Sequence, residues 1–235
     1  MVSKQDIKHL AVIMDGNGRW AERKNVDRVE GHRAGAQALK NIVDATIEQG
    51  IKYLTVYAFS TENWKRSPKE VNALMKLLRD FVDKDLLEIH GKNIKVQAIG
   101  QLSTIPWPTR RKLLKAIDKT KDNTGGTLTL ALSYGGRAEL VDAVQQIAGQ
   151  VNDGTLKIKD INEDLISQNM YDPTLPDPDL MIRTSGELRT SNFLLWQLSY
   201  AEFYFTDVLW PDFNAEELQK AVDFYHGRDR RFGGR

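Results

Sequence analysis

Short runs of β-branched and apolar residues alternate along this chain with longer segments of helical periodicity, and this alternation limits the possible folds more than any other feature. Strands that alternate with helices predict an α/β fold with a mostly parallel sheet. Most of the runs are apolar nearly throughout, as expected of strands that helices cover on both faces. The predicted strands are 9–15, 53–59, 94–100, 128–134, 179–184 and 203–210.

Between these strands, apolar side chains recur at the spacing of amphipathic helices. No repeat, low-complexity tract or linker-like change of composition divides the chain, and the proline-rich stretch 172–179 fits a loop before the fifth strand. We therefore expect a single domain over 1–235, with a six-stranded, mostly parallel sheet surrounded by helices. The predicted helices are 38–47, 71–89, 108–121, 138–150 and 215–225.

The composition excludes several classes of function. The 33 Lys and Arg residues balance the 32 Asp and Glu residues to a net charge of +1, so we expect no binding to nucleic acid. The chain has no cysteine, which excludes disulfides, thiolate catalysis and Cys-ligated zinc and favours a cytoplasmic location. We expect neither a signal peptide nor a membrane span, because every uncharged stretch is well short of about 18 residues.

Polar or glycine-rich motifs follow four of the predicted strands. They cover 15–20, 60–66, 134–137 and 183–192. The carboxyl ends of parallel strands lie at one edge of a sheet, and open α/β folds bind ligands at that edge. We therefore expect these four motifs, which are distant in the sequence, to line one crevice.

The first motif, Asp15-Gly16-Asn17-Gly18-Arg19, has the parts of a phosphate cradle. Its glycines let backbone N–H groups approach an anion, its arginine adds positive charge, and its aspartate can hold a Mg²⁺ ion that shares phosphate oxygens. A plain tight turn would also suit this sequence. Neither a Walker A loop nor a dinucleotide fingerprint is present, so the usual signatures of ATP and NAD binding are missing.

The fourth motif brings Arg183, Ser185, Arg189 and Ser191 close together in the sequence. Forked guanidinium groups match phosphate oxygens, so this segment suits a second diphosphate, although a solvated polar loop would have the same composition. Further positive candidates lie near the first two motifs, although packing alone would explain a single histidine. They are Arg28, His32, Arg33 and Arg66.

Two tryptophans and one glutamate also stand out. Trp20 and Trp64 adjoin the charged motifs and could wall a hydrophobic channel, although core packing explains a single tryptophan equally well. Glu202 lies among aromatic residues, where an unpaired carboxylate is costly, so we expect a cation beside it. The basic tail, 228–235, has the composition of a solvated chain end.

Several ordered segments together form a pattern that is far more specific than any one of them. They are 9–21, 31–35, 57–64, 183–193, 199–202 and 205–213. This pattern closely resembles the cis-prenyltransferases over nearly the whole chain. The Asp-Asp-x-x-Asp motifs of the all-helical trans-prenyltransferases are absent.

The resemblance implies a fold and an activity. The family fold is a six-stranded parallel sheet ringed by helices, and members of the family work as homodimers. The implied activity is a Mg²⁺-dependent condensation of isopentenyl diphosphate units onto an allylic primer, here farnesyl diphosphate, which makes a long-chain polyprenyl diphosphate. Within the family, the chain is most similar to the bacterial enzymes that make undecaprenyl diphosphate, the lipid carrier precursor of cell-wall synthesis.

The resemblance also implies roles for individual residues. Asp15 would position Mg²⁺ on the allylic diphosphate, and Glu202 would help to hold that metal. Asn63 would be the proton acceptor, although a carboxamide is a very weak base and released pyrophosphate could take the proton instead. The allylic diphosphate would be held by Gly16, Asn17, Gly18, Arg19, Arg28 and His32. Isopentenyl diphosphate would be held by Arg183, Arg189 and Ser191. The reacting centre would be lined by Ser60, Glu62, Asn63, Trp64 and Arg66. Further substrate-binding candidates are Trp20, Thr61 and Thr190.

Alternatives to this assignment stay open. A short- or medium-chain cis-prenyl diphosphate synthase would share the motifs. A non-catalytic subunit is disfavoured, because Asp15, Asn63, Arg183 and Glu202 are all present. A phosphate-ester hydrolase or nucleotide-binding module fits the isolated cradle but not the two arginine clusters.

Three further expectations concern the product and the partner subunit. Gly126 stands where relatives often carry a bulkier apolar residue, so the tunnel for the growing chain is expected to be roomy. In the tail, 231–233 resembles an Arg-x-Gly motif that reaches the partner subunit's site. Release of the apolar product is expected to need at most a transient contact with the membrane.

Overall fold

One parallel sheet forms the centre of the protein. The structure is a computed structural model, and it describes residues 6–84 and 86–228, without the side chains of 86 and 87. The spatial order of the strands is β3-β4-β2-β1-β5-β6, and every neighbouring pair is parallel. The predicted six-stranded α/β fold is therefore confirmed. The strands are β1 (His9–Ile13), β2 (Tyr53–Ser60), β3 (Ile94–Ile99), β4 (Gly126–Tyr134), β5 (Leu180–Arg183) and β6 (Glu202–Phe205).

Helices account for most of the remaining chain. All five predicted helical segments are present, and the described part of the predicted helix 71–89 lies in α3 and α4. Two short helices, α1 and α7, were not predicted. In the described residues the helices are α1 (Asn17–Lys24), α2 (Arg28–Glu48), α3 (Pro68–Lys84), α4 (Leu86–Gly91), α5 (Trp107–Thr120), α6 (Gly136–Asn152), α7 (Glu163–Gln168) and α8 (Ala215–His226).

The central strand β1 shows how the sheet is covered on both faces. Leu10 and Val12 belong to the larger core, which also includes side chains of α2, α3, α5 and α8. Ala11 and Ile13 point the other way, into a second core with Phe193 and neighbouring residues. Successive strand residues face opposite sides, so a strand that is apolar throughout is buried twice. Burial of each large aliphatic side chain contributes about 1.5–3 kcal/mol.

The predicted sixth strand, 203–210, ends early, at Phe205. Beyond it the chain bonds to the loops that follow β1 and β5: the N–H groups of Ser185 and Gly186 donate to the carbonyls of Val208 and Thr206, both at 2.8 Å. The N–H of Trp210 donates to the carbonyl of Asp15 at 3.0 Å. These bonds use the backbone that would otherwise extend β6, and they brace the two loops.

Two further expectations concern the Arg-x-Gly segment of the tail and the absence of a membrane span. The Arg-x-Gly segment 231–233 lies outside the described residues. Among the residues that the structure does describe, no helix is both long enough and apolar enough to cross a bilayer.

Candidate active site

The loop after β1 turns sharply at Gly16 and starts α1 at Asn17. Gly16 has φ +108°, and a Cβ there would come within 2.9 Å of Leu209 Cδ2 and 3.0 Å of Ser185 Cβ. Only glycine suits this position, since both its backbone angle and its surroundings exclude a side chain. Asp15 Oδ1 accepts the N–H of Gly16 at 2.7 Å. The carboxylate of Asp15 is thus fixed at the carboxyl edge of the sheet.

Arg183, at the end of β5, faces Asp15 across this edge. Its side chain is only 4% exposed, and its Nη2 donates to Asp15 Oδ2 at 2.9 Å. Its Nη1 donates to Ser191 Oγ and to the carbonyl of Arg189, both at 2.6 Å. Its Nε is buried and has no partner among the described residues. A buried donor without a partner is costly, so this site is suited to an added acceptor such as a phosphate oxygen.

Two more arginines share one carboxylate beside this pair. Arg19 donates to the carbonyl of Ser185 at 2.8 Å and to Ser185 Oγ at 2.5 Å. Arg19 Nη2 lies 3.4 Å from Glu187 Oε1, and Arg189 pairs with the other oxygen of Glu187. Glu187 therefore lies between the two guanidinium groups and pairs with each of them through a different oxygen.

A second cationic group lies across the crevice, between α2 and the start of α3. Arg66 Nη1 donates to Glu70 Oε1 at 2.9 Å, and His32 Nε2 lies 3.5 Å from the same oxygen. Arg28 Nη2 pairs with Glu22 at 3.0 Å. Burial, followed by the charge of Arg66, lowers the pKa of His32 below its ordinary value of 6.5, so the imidazole is neutral at physiological pH.

The turn of 3₁₀ helix after β2, Thr61–Lys65, begins with a reciprocal cap. The N–H of Ser60 donates to Asn63 Oδ1 at 3.0 Å, and the Ser60 hydroxyl accepts the N–H of Asn63. The amide oxygen of Asn63 is therefore already engaged as an acceptor, which leaves its NH₂ group to act as a donor toward the crevice.

Asn192, which was not among the predicted site residues, ties three strand-end loops together. Its Nδ2 donates to Glu62 Oε1 at 3.0 Å, its Oδ1 accepts the N–H of Arg137 at 2.8 Å, and its carbonyl accepts the N–H of Gly136 at 2.7 Å. Burial acts to raise the pKa of Glu62, but hydrogen bonds, including that from Asn192, outweigh it and lower the pKa. Asn192 fixes the shape of the crevice.

Three connected spaces meet at Met14, Asn17 and His32, which line all of them. One polar space, of about 760 Å³, lies over the loop after β1 and includes Arg28 and Arg66. A second, of about 1110 Å³, reaches the other side of Asp15; it includes Ser60, Glu62, Asn63, Arg183, Arg189 and Ser191. The third, of about 690 Å³, is largely apolar and runs between α2, α3 and the sheet; it includes Leu39, Leu74, Leu78, Phe81, Leu130 and Leu132.

Several predicted site residues are not among those that line the three spaces. Trp20 Nε1 donates to Asp212 at 2.8 Å, and Trp64 Nε1 donates to Ser133 Oγ at 2.9 Å while its ring packs against Phe59. Thr61 lies beside Gly135, and the carbonyl of Thr190 caps a local turn. Within the described chain, these four residues therefore support the site's walls and loops.

Glu202 is not close to Asp15 within this chain. The register pairs Glu202 with Leu180 and Phe205 with Arg183, so Glu202 lies at the amino end of β6, whereas Asp15 follows the carboxyl end of β1. A rise of about 3.3 Å per residue separates these edges by about 10 Å. The cation expected beside Glu202 is Arg228, whose Nε is 3.4 Å from Glu202 Oε2. A single chain therefore does not support the expected metal role of Glu202.

The donor set at Asp15 fits Mg²⁺ only together with a substrate. No group of three or more histidine, aspartate or glutamate side chains in the described ranges could hold a metal ion. Mg²⁺ is often held by one or two carboxylates and by substrate phosphates. The half-buried carboxylate of Asp15, which is surrounded by groups that can donate hydrogen bonds to phosphate oxygens, matches that arrangement.

Comparison with known proteins identifies the family. The family described as "Putative undecaprenyl diphosphate synthase" matches residues 13–233. The chain belongs to this family. It is a prenyltransferase of the undecaprenyl diphosphate synthase family, as the resemblance of its motifs predicted.

Relatives and solved structures agree with this assignment. An isoprenyl transferase from Clostridium perfringens is 53% identical over 97% of this chain and 90% of the relative. The ditrans,polycis-undecaprenyl-diphosphate synthase ((2E,6E)-farnesyl-diphosphate specific) of Micrococcus luteus is 51% identical over 97% and 91%. The crystal structure of lavandulyl diphosphate synthase from Lavandula x intermedia with dimethylallyl diphosphate has a TM-score of 0.95 at 38% identity, over 97% and 98% of the two chains. A probable undecaprenyl diphosphate synthase from Campylobacter jejuni has a TM-score of 0.81 at 34% identity, over 97% and 99%.

Proposed function

We propose that this prenyltransferase condenses isopentenyl diphosphate units onto farnesyl diphosphate and thereby makes undecaprenyl diphosphate. One observation carries the proposal: two polar spaces lined by arginines share Asp15 and open beside an apolar cavity. Such a site suits two diphosphates and one long hydrocarbon. The specificity of the Micrococcus luteus relative for farnesyl diphosphate supports the choice of primer.

The allylic diphosphate would bind over the loop after β1. Backbone N–H groups at the start of α1 and the positive end of its dipole favour an anion there. The positively charged side chains that line this space, and the neutral imidazole of His32 as a hydrogen-bond donor, would complete its binding. We assign this diphosphate to Gly16, Asn17, Gly18, Arg19, Arg28, His32 and Arg66.

Isopentenyl diphosphate would bind on the other side of Asp15. Arg183 offers its unpartnered Nε, and Arg189 can exchange its bond with Glu187 for a bond to phosphate. Ser191 is held by Arg183 and adds a hydroxyl. Guanidinium pairs of this kind bind diphosphate oxygens in a bidentate manner.

Asp15 would hold Mg²⁺ against the allylic diphosphate. When bound, this ion withdraws charge from the phosphate oxygens and so favours the departure of pyrophosphate. Arg19, which lies within ion-pair distance of Asp15, would stabilise the same developing charge. Glu202 would contribute to the metal only if another subunit placed it there.

The reaction exchanges one bond for another. The C1–O bond of the allylic substrate breaks, and its electron pair leaves with pyrophosphate. The alkene electrons of isopentenyl diphosphate form the new C–C bond at C1, and a proton leaves the carbon next to the new cation. Asn63 would position the substrates through its NH₂ group, and pyrophosphate would accept the proton, because the Asn63 oxygen is already bonded to the Ser60 N–H.

The remaining assignments concern domain organisation, assembly and cellular location. We propose a single domain that works in the cytoplasm as a homodimer and does not bind nucleic acid. The exposed side chain of Phe203, on the edge strand β6, supports a dimer contact on that side.

The decisive experiment is the incorporation of labelled isopentenyl diphosphate onto farnesyl diphosphate, with products resolved by chain length. We expect Mg²⁺-dependent synthesis of a product with a C55 chain, and loss of kcat rather than of substrate affinity in Asp15→Asn. Shorter products would identify a short- or medium-chain synthase. Absence of incorporation with any allylic primer would refute the proposal and favour a non-catalytic subunit or a hydrolase.

A further inference from the structure

Helix α5 carries an unusual excess of positive charge. Its sequence, Trp-Pro-Thr-Arg-Arg-Lys-Leu-Leu-Lys-Ala-Ile-Asp-Lys-Thr, has five basic residues and one acidic residue, a net charge of +4. No other helix in the described ranges exceeds +2. The whole chain has a net charge of only +1, so this excess is local.

The same helix exposes two large apolar side chains. Trp107 is 60% exposed and Leu114 is 45% exposed, whereas Leu113 and Ala116 on the opposite face are buried. Positions 107 and 114 are two helical turns apart, so their side chains lie on one face, about 10 Å from each other. This face is not used in the core of the protein.

The charges next to these apolar side chains are available to a partner. Within residues 6–84 and 86–228, neither Arg111 nor Lys115 has a carboxylate at ion-pair distance, whereas Lys112 is paired with Asp83. The guanidinium of Arg110 lies 5.3 Å from the centre of the Trp107 ring. The exposed face thus combines an aromatic ring, an aliphatic side chain and unpaired cations.

The position of α5 relates this face to the apolar cavity. Arg79 of α3 donates to Thr109 of α5 at 2.7 Å, and the two helices pack together. Other side chains of α3, including Leu74, Leu78 and Phe81, line the cavity. A surface that touched α5 would therefore be one helix away from the proposed hydrocarbon site.

We propose that the face of α5 formed by Trp107, Arg111, Leu114 and Lys115 docks on the headgroup region of a bilayer that contains anionic phospholipids. Tryptophan is favoured at that depth, and basic helices with a few large apolar side chains bind such surfaces. The complementary charge selects an anionic bilayer over a neutral one. Two apolar side chains give a shallow contact, so the docking is reversible.

The test is co-sedimentation of the whole chain with vesicles, without substrate. The vesicles contain either phosphatidylcholine alone or equal parts of phosphatidylcholine and phosphatidylglycerol. We expect binding to the anionic vesicles that weakens as salt is added. The double variant Arg111→Gln, Lys115→Gln should bind about 30-fold more weakly, since each basic residue near an anionic surface contributes about fivefold. The double variant Trp107→Ser, Leu114→Ser should bind about tenfold more weakly, because it loses the two apolar side chains of this face.

A matched control is available in the loop before α7. Ile158 is 74% exposed and lies between two exposed lysines. The variants Ile158→Ser and Lys157→Gln with Lys159→Gln should bind vesicles as the original chain does. Thermal unfolding of all variants should be unchanged, because the substituted side chains are exposed.

Several results would overturn the docking proposal. They are equal binding to both kinds of vesicle, normal binding by the α5 variants, and an equal loss in the control variants. A change of oligomeric state in the α5 variants without vesicles would assign this face to a contact between copies of the chain instead. Because binding is measured without turnover, inactivity toward farnesyl diphosphate would refute the proposed function and leave this result intact.

Discussion

Replacing Arg183 with lysine preserves a positive charge at the end of β5 but removes the guanidinium fork. In the folded chain, this fork holds Asp15 at 2.9 Å and Ser191 Oγ at 2.6 Å, and its Nε remains for a ligand. A single ammonium on a flexible stem cannot replace these donors in one geometry. Arg183→Lys should therefore weaken isopentenyl diphosphate binding specifically.

The size of the effect follows from the bonds that are lost. A hydrogen bond to a charged group contributes about 1.5–3 kcal/mol, so the loss of one such bond to the substrate costs about that much. This corresponds to an increase of about 10- to 150-fold in the KM for isopentenyl diphosphate. The KM for farnesyl diphosphate should change little, because its proposed donors lie on the other side of Asp15.

The assay is steady-state kinetics with one substrate varied at a time. Circular dichroism and thermal unfolding establish that the variant is folded, and Arg33→Lys, on the exposed side of α2, serves as the control. An unchanged KM for isopentenyl diphosphate, or an equal rise for both substrates, would refute the assignment of Arg183 to one diphosphate.

Three further predictions test other parts of the account. Asn63→Ala should lower kcat strongly and leave substrate binding measurable; unchanged turnover would remove Asn63 from the reaction. Gly126→Leu should shorten the products, since a side chain there would enter the space that Ile47 lines; an unchanged product ladder would contradict this. Burial lowers the pKa of His9 to about 4, so the folded state stays unprotonated where the unfolded state binds a proton. Stability should therefore fall by about 3 kcal/mol between pH 6.5 and pH 4, and His9→Gln should reduce that slope in chemical denaturation; an equal slope would refute it.

The periodicity of the sequence locates elements that bury side chains and misses those that do not. β1 is apolar at every position from Leu10 to Ile13 and was predicted correctly. In α1 only Ala21 is buried, so no apolar stripe marks this helix. It is held instead by close packing on α2, where a Cβ at Gly31 would come within 2.2 Å of the carbonyl of Asn17. That contact is not visible in local sequence.

The sequence places the motifs at one edge but does not give the direction of each side chain. Trp64 adjoins charged residues, yet its ring packs on Phe59, because the turn after β2 directs it toward the core. Glu70 was missed, although Ser67-x-x-Glu70 has the spacing of a helix cap and the Glu70 N–H donates to Ser67 Oγ at 3.3 Å. Its contacts with His32 and Arg66 depend on the tertiary fold.

Glu202 shows the limit of assigning roles from motifs alone. The predicted sixth strand begins at residue 203, directly after Glu202. In a parallel sheet this position lies at the amino edge, away from Asp15. Conversely, Asn192 lies inside a motif that was recognised, but its three bonds to other loops depend on a left-handed backbone at φ +67° that composition does not reveal.

The central claim is that one sheet edge holds two separate diphosphates, and binding of each ligand alone to single-site variants tests it most directly. The ligands are isopentenyl diphosphate and an unreactive thiodiphosphate analogue of farnesyl diphosphate, titrated by calorimetry. We expect Arg28→Gln to weaken only the farnesyl analogue and Arg189→Gln to weaken only isopentenyl diphosphate, each by about tenfold or more. Equal weakening of both ligands by either variant would contradict the existence of two separate sites.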